Sequence, residues 1–182
     1  MSEIKVASRY AKSLIDLAIE KNSLEEINKD MQLFVETLKS SSELQAILRN
    51  PIIALSKKID ILKAVFGDKV NPVTLAFFKI TVNKGRSEVL YVTAREFLNQ
   101  YNQYKNIVTA QVVSAVALSD NAKADIIAKI KEVTGGEVVL NASVNEDLIG
   151  GFVLTVGDKQ FDTSIANKLS RLKKEFSQRI IA

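Results

Sequence analysis

Cysteine and histidine are both missing from the 182 residues. Without cysteine there is no disulfide and no thiolate metal ligand. Without histidine the commonest general base is gone, with the Ser–His and Cys–His nucleophile pairs and the usual zinc sites. Aspartate, glutamate, lysine and tyrosine remain able to do chemistry, so catalysis is disfavoured rather than excluded. Tryptophan is absent, and the only prolines are Pro51 and Pro72. Long apolar runs are lacking too. The longest nearly uncharged stretch, NIVTAQVVSAVALS, is too short to cross a bilayer as a helix and includes Thr, Gln and Ser. No apolar secretory segment opens the chain, and Glu3 and Asp16 argue against a transit peptide, so a protein on the cytosolic side is expected.

What is present suits a folded chain of one domain or two small ones. Hydrophobic residues make up 47% and charged residues 25%, and the net charge of +4 permits acidic partners without requiring nucleic acid. The two halves differ in pattern. Five of the seven glycines lie after residue 134, and both prolines lie before it. Up to about residue 104 the apolar spacing is helical, with helices expected at about 3–21, 24–39, 42–49, 55–66, 72–84 and 86–104. Asn50-Pro51 breaks the pattern, Asn71-Pro72 reads as an N-cap with proline at the first helical position, and Gly67 and Gly85 can end helices. Short connections between amphipathic helices imply an antiparallel bundle.

The polar stretch QYNQYKN then marks a boundary, giving an expected helical domain at 1–104 and a small α+β domain at 105–182. In the second, Ile107–Ala117, Glu137–Val144, Ile149–Val156 and Lys159–Phe161 read as strands. Ser119 caps a helix that Gly135-Gly136 stops. Asp162 caps a last helix whose stripe is Ile165, Leu169, Leu172 and Phe176.

The glycine pairs do not read as phosphate loops. A Walker-type loop needs Lys and Ser/Thr directly after its last glycine, and Gly151 is followed by Phe-Val-Leu. A dinucleotide fingerprint leads into a helix, whereas here a strand follows. Gly150-Gly151 therefore marks a bulge or a close backbone approach. The acidic pairs Asp60/Asp68 and Glu25/Glu26 read as solvated helix surface. Lys168, Arg171, Lys173, Lys174 and Arg179 make the last helix basic, which reads as a solvated face or, alternatively, as the patch of a nucleic-acid-binding adaptor, though no nucleic-acid motif accompanies it.

Two helices carry more apolar surface than one stripe needs. At ~100° per residue, Val6, Leu17, Tyr10, Leu14, Ala7, Ala18, Ala11, Ile4 and Ile15 fan over half of the first helix. The fifth carries Leu75, Phe78 and Val82 on one side and Val73, Ala76, Phe77 and Ile80 on the other. Patterning leaves two readings open: both helices are central in the bundle, or their extra faces form a groove for an amphipathic partner helix.

VASRYAKSLIDLA, LRNPIIALSKKIDILKAVF, LAFFKITVNKGR and the C-terminal run with Asp147, Leu148-Ile149-Gly150-Gly151, Gly157-Asp158 and Asp162-Thr-Ser164 occur in order over nearly the whole chain. Together they resemble the δ subunit of bacterial F-type ATP synthases, the family of the mitochondrial oligomycin-sensitivity-conferring protein. One departure is Lys84, which separates Asn83 from Gly85 where the family has Asn beside Gly. The resemblance implies an N-terminal six-helix bundle, a small C-terminal α/β-mixed domain, and a non-catalytic stator subunit without cofactor or metal. It implies a peripheral position on the cytoplasmic face of the bacterial inner membrane, without membrane insertion, in a proton-driven synthase. The implied partners are the N-terminal helix of an α subunit, with Tyr10, Leu14, Phe77 and Ile80 as groove residues, and the C-termini of the b subunits. Gly150, Gly151 and Asp162 would be structural residues of the C-terminal signature.

Overall fold

The computed structural model describes residues 3–180; the side chains of 175 and 177–180, Arg179 among them, lie outside that description. The chain is α+β and divides between Tyr104 and Lys105 into two compact units.

The first unit is helical. It contains α1 (Glu3–Glu20), α2 (Leu24–Ser40), α3 (Ser42–Arg49), α4 (Leu55–Phe66), α5 (Pro72–Asn83) and α6 (Leu90–Tyr104), with a 3-10 turn at Ser87–Val89. That turn occupies the start of the helix expected at 86–104: Arg86 sits outside helical geometry, at φ −115° and ψ 33°. α1 packs mainly on α6. Ala7, Ala11 and Ala18 are completely buried, and their small side chains let the two backbones come close. Gln100 Nε2 donates to Ser8 O (3.3 Å) and Ser8 Oγ (3.0 Å) across the pair. Three phenyl rings form the centre. Phe34 on α2 lies 4.6 Å from Phe78 on α5 and 5.3 Å from Phe66 on α4, centroid to centroid, within the range of favourable ring pairs.

Two buried polar groups fasten this core. Asp30 is 7% exposed, and its Oδ2 accepts from Asn71 N–H (2.8 Å) and Thr74 Oγ1 (2.7 Å) at the start of α5. The Asn71 side chain accepts from Val73 N–H at 2.9 Å, so the sequence signal for a cap with Pro72 following it is realised. Lys58 is 2% exposed. Its Nζ donates to Leu48 O at 3.0 Å and Ser87 Oγ at 2.7 Å, joining the end of α3, α4 and the 3-10 turn.

The second unit contains β1 (Ile107–Ser114), α7 (Asp120–Thr134), β2 (Glu137–Val144), a 3-10 turn (Glu146–Leu148), β3 (Phe152–Val156), β4 (Lys159–Asp162) and α8 (Ile165–Ile180). The strand order is β2-β1-β3-β4, with β1 and β2 parallel and the other pairs antiparallel. α7 is the crossover that a parallel pair requires. Ser119 Oγ accepts from Ala122 N–H at 3.3 Å to start it, and Gly135 at φ +68° ends it. In register, Ala110, Val112, Leu140, Leu154, Val156 and Phe161 share one face, while Gln111, Asn141, Thr155 and Gln160 form a polar row on the other. The sheet thus has one packed and one solvated face.

Two strand bounds and one cap differ in ways that the local geometry explains. β1 stops at Ser114, whose Oγ donates to Val116 O and turns the chain away. β3 starts at Phe152 rather than Ile149, because Ile149 at φ +63° and Gly151 at φ +78° cannot lie in a strand. Asp162 does not cap α8. Ser164 does, its Oγ accepting from Asn167 N–H at 3.2 Å, and Asp162 Oδ1 accepts from Ser164 N–H at 2.8 Å to shape the preceding turn. Those Ser164 hydrogen bonds hold the Asp162 carboxyl below the usual aspartate range.

Asp30→Ala leaves a buried amide and a hydroxyl without their acceptor. Urea unfolding should record a loss of about 2–4 kcal/mol. Burial holds the Lys58 ammonium below the usual lysine range, against a smaller upward pull from Glu88. The folded chain therefore releases this proton at lower pH than the unfolded chain does, and the Lys58 contribution to stability rises as pH climbs between the two values. Unfolding free energies across the alkaline range should show that upward slope in the wild type and a flatter one in Lys58→Met.

Candidate partner-binding surfaces

Among the described residues no cluster of acidic side chains could hold a metal ion, and no helix is long and apolar enough to cross a membrane. The notable surfaces are apolar.

The first belongs to α1 and α5. On α1 the buried strip is Ala7, Ala11, Leu14, Ile15 and Ala18. Beside it Val6 and Tyr10 are half-buried and Leu17 is exposed. On α5 the buried residues are Thr74, Phe78, Thr81 and Val82, and the opposite face holds half-buried Val73 and Phe77 with Ile80 at 58% exposure. The Tyr10 and Phe77 rings meet edge to face, 6.3 Å between centroids. Arg86 closes the arrangement: its guanidinium lies 5.7 Å above the Tyr10 ring centre and Nη1 donates to Tyr10 Oη at 3.0 Å. Tyr10, Phe77 and Ile80 therefore belong to one surface. Leu14 does not. It is 1% exposed and sits in the strip that faces the core, beneath that surface. The family resemblance implied Leu14 as a groove residue beside Tyr10; the packing neighbours distinguish the two. Arg86 was visible in the sequence as part of the Asn-x-Gly-Arg turn, but its partner lies 76 residues away.

The second surface belongs to the sheet unit. Ile165, Leu169, Leu172 and Phe176 on α8 are 43%, 52%, 48% and 61% exposed. A separate apolar cleft of about 790 Å³ lies between α7 and β3–β4, lined by Ile126, Ile130, Val133, Phe152, Leu154 and Phe161 among others.

The glycine pair sits at the base of α8. Gly150 O accepts from Ile165 N–H at 2.9 Å, and Gly151 O from Ala115 N–H at 3.3 Å. A Cβ on Gly151 would lie 2.6 Å from Thr163 O, and one on Gly150 would lie 2.6 Å from Ile165 Cδ1. No positive φ occurs at Gly150; it falls at Gly151.

The model of the ATP synthase delta (OSCP) subunit family matches residues 6–176. The chain belongs to that family. Relatives named ATP synthase subunit delta include one from Christiangramia forsetii, 39% identical over 96% of this chain and 95% of that protein. Another, from Cytophaga hutchinsonii, is 35% identical over 100% of this chain and 99% of its own length. A chloroplastic relative from Porphyra purpurea is 36% identical, covering 92% and 91%. A chain in the cryo-EM structure of the Toxoplasma gondii mitochondrial ATP synthase hexamer has the same fold, with a TM-score of 0.73 over 93% of this chain and 96% of that one at 24% identity.

The two glycines should not be equivalent. Gly151→Ala meets a backbone carbonyl and an unfavourable φ, so it should destabilise the sheet unit by about 1–3 kcal/mol. Gly150→Ala meets only the tip of a side chain that can rotate, and should cost less than about 1 kcal/mol. Thermal unfolding of the two variants checks the order.

Proposed function

We propose that the chain is a non-catalytic subunit of the peripheral stalk of a rotary ATP synthase, linking the catalytic α/β head to the b subunits so that rotation is coupled to ATP synthesis. Membership of the delta (OSCP) family supports the role, and the absence of histidine and cysteine accords with a subunit that does no chemistry. The observation that carries the mechanism is the apolar surface of α1 and α5. Tyr10, Phe77 and Ile80 stand along it, with Arg86 bracing Tyr10. Such a strip fits an amphipathic helix through anchors at i, i+3 or i+4, and i+7.

In this reading residues 1–104 are the six-helix bundle of the family and take the N-terminal helix of an α subunit, while residues 105–182 meet the C-termini of the b subunits. The subunit is then peripheral, on the cytoplasmic face of a bacterial inner membrane. A stator of this kind holds the head still by tethering it at two ends. The named relatives give no support to a nucleic-acid adaptor built on the basic last helix.

The experiment is calorimetric titration of the complete chain with a peptide of the α N-terminus from the same synthase. Phe77→Ala should weaken binding by roughly 1–4 kcal/mol, with the helical circular dichroism unchanged. Equal affinity in wild type and Phe77→Ala would remove Phe77 from the contact and move the groove elsewhere.

A further inference from the structure

The apolar positions of α8 have an unusual regularity. Ile165, Leu169, Leu172 and Phe176 follow each other at spacings of four, three and four. That is the d-a-d-a spacing of a heptad, a narrow seam with a period of 3.5 residues. A helix resting on a sheet or in a globular core needs a broader band. The polar residues Asn167, Ser170, Arg171 and Lys174 occupy the rest of the circumference. Each seam residue is at least 43% exposed, and α8 packs chiefly against the turn Glu146–Leu148.

The start of this helix is fixed. Ile165 N–H donates to Gly150 O, and Ser164 Oγ accepts from Asn167 N–H. Next to that anchor is Ile149, 66% exposed at φ +63°. A β-branched side chain at such a φ is strained, and it leaves one more exposed apolar residue in the loop that anchors the helix. The charge is one-sided. Over its length α8 has Lys168, Arg171, Lys173, Lys174 and Arg179 against Glu175. In the heptad frame Lys168 and Lys173 take g and e positions that flank the seam and Glu175 takes the next g, so the flank carries two basic residues against one acidic where charges face the opposite strand of a coiled coil.

We infer that α8 is one strand of a two-stranded coiled coil, completed by an amphipathic helix that has an apolar heptad seam flanked by acidic residues. The inference rests on the reading that residues 105–182 meet the b subunits, and it assigns that contact to the α8 seam rather than to the cleft between α7 and β3–β4. The seam offers about two heptads, so the contact is short and the flanking charges add to its selectivity.

The test uses the complete chain and the soluble portion of the b dimer from the same synthase, with the α N-terminal peptide as a second ligand. Leu169→Asp/Leu172→Asp places two carboxylates in the seam at positions already half open to water. It should weaken b binding roughly 30-fold or more and leave α-peptide affinity unchanged, which reports an intact helical unit. Val133→Asp, at a cleft-lining residue that is 86% exposed, should leave b affinity unchanged. Lys168→Glu should weaken b binding several-fold and reduce its salt dependence. If b binds the double variant as tightly as the wild type, or is lost only in Val133→Asp, the α8 assignment is wrong while the b contact stands. If the wild type binds the α peptide but not b, the b reading itself fails. Sedimentation of the chain alone reads the remaining occupant: a dimer abolished by the double substitution, without b binding, would assign the seam to a second copy and overturn the inference.

Discussion

Phe78 is completely packed between Phe34 and Phe66, and this contact sets the rotation of α5. Once that ring points inward, helical geometry leaves no choice for its neighbours. Phe77 lies ~100° around the axis and Ile80 a further turn away, on the side that the core cannot cover. Phe77 then meets Tyr10 from α1, and Arg86, on the turn that follows α5, closes over the tyrosine. The outward surface is thus a by-product of the inward one. A change that let α5 roll by a third of a turn would bury Phe77 and lose the surface without unfolding a helix.

The sheet unit solves a different problem. Its sheet has one apolar face, and α7 covers the β1–β2 half more fully than the β3–β4 half. The remaining chain, α8, is held at its base by Gly150 and by the turn at Asp162–Ser164. Gly151 makes that base possible, because its missing side chain admits the Thr163 carbonyl. A backbone contact therefore governs where an amphipathic helix is presented. Both units share this logic: a core fixes an orientation, and the surplus apolar surface follows from it.

Much of this was legible in the chain. α3 at Ser42–Arg49 and α4 at Leu55–Phe66 lie where the apolar spacing placed them, and Ser119 and Asn71 cap the helices they were expected to cap. Caps and periodicity are local, and local signals survive without a structure. The same holds for the two apolar stripes of α5, since an angular position can be counted from residue numbers. What could not be counted is which stripe meets which neighbour. Leu14 looked like Tyr10 in pattern, yet it is buried on a helix whose main packing partner, α6, begins more than seventy residues on. Lys58 stands beside Lys57 in the chain, and nothing local reveals that it ends against Leu48 O and Ser87. Asp162 and Ser164 offer two caps within three residues; Ser164 is the one used, where the Gly150–Gly151 loop comes close to the backbone of Thr163 and Ser164.

The pairing of α1 with α6 has a consequence for how the chain is made. α1 ends at Glu20, and its main packing partner begins at Leu90. At ribosomal speeds of about 5–20 residues per second, the first helix waits on the order of ten seconds for the last one of its unit. During that interval Leu14, Ile15 and the alanine ridge lack the helix that supplies most of the native packing on α1. The nascent segment is then a short amphipathic helix exposed to whatever binds such helices in the cell. Folding of this unit is gated by the emergence of its final element, so a ribosome stalled before α6 leaves an adhesive N-terminus behind.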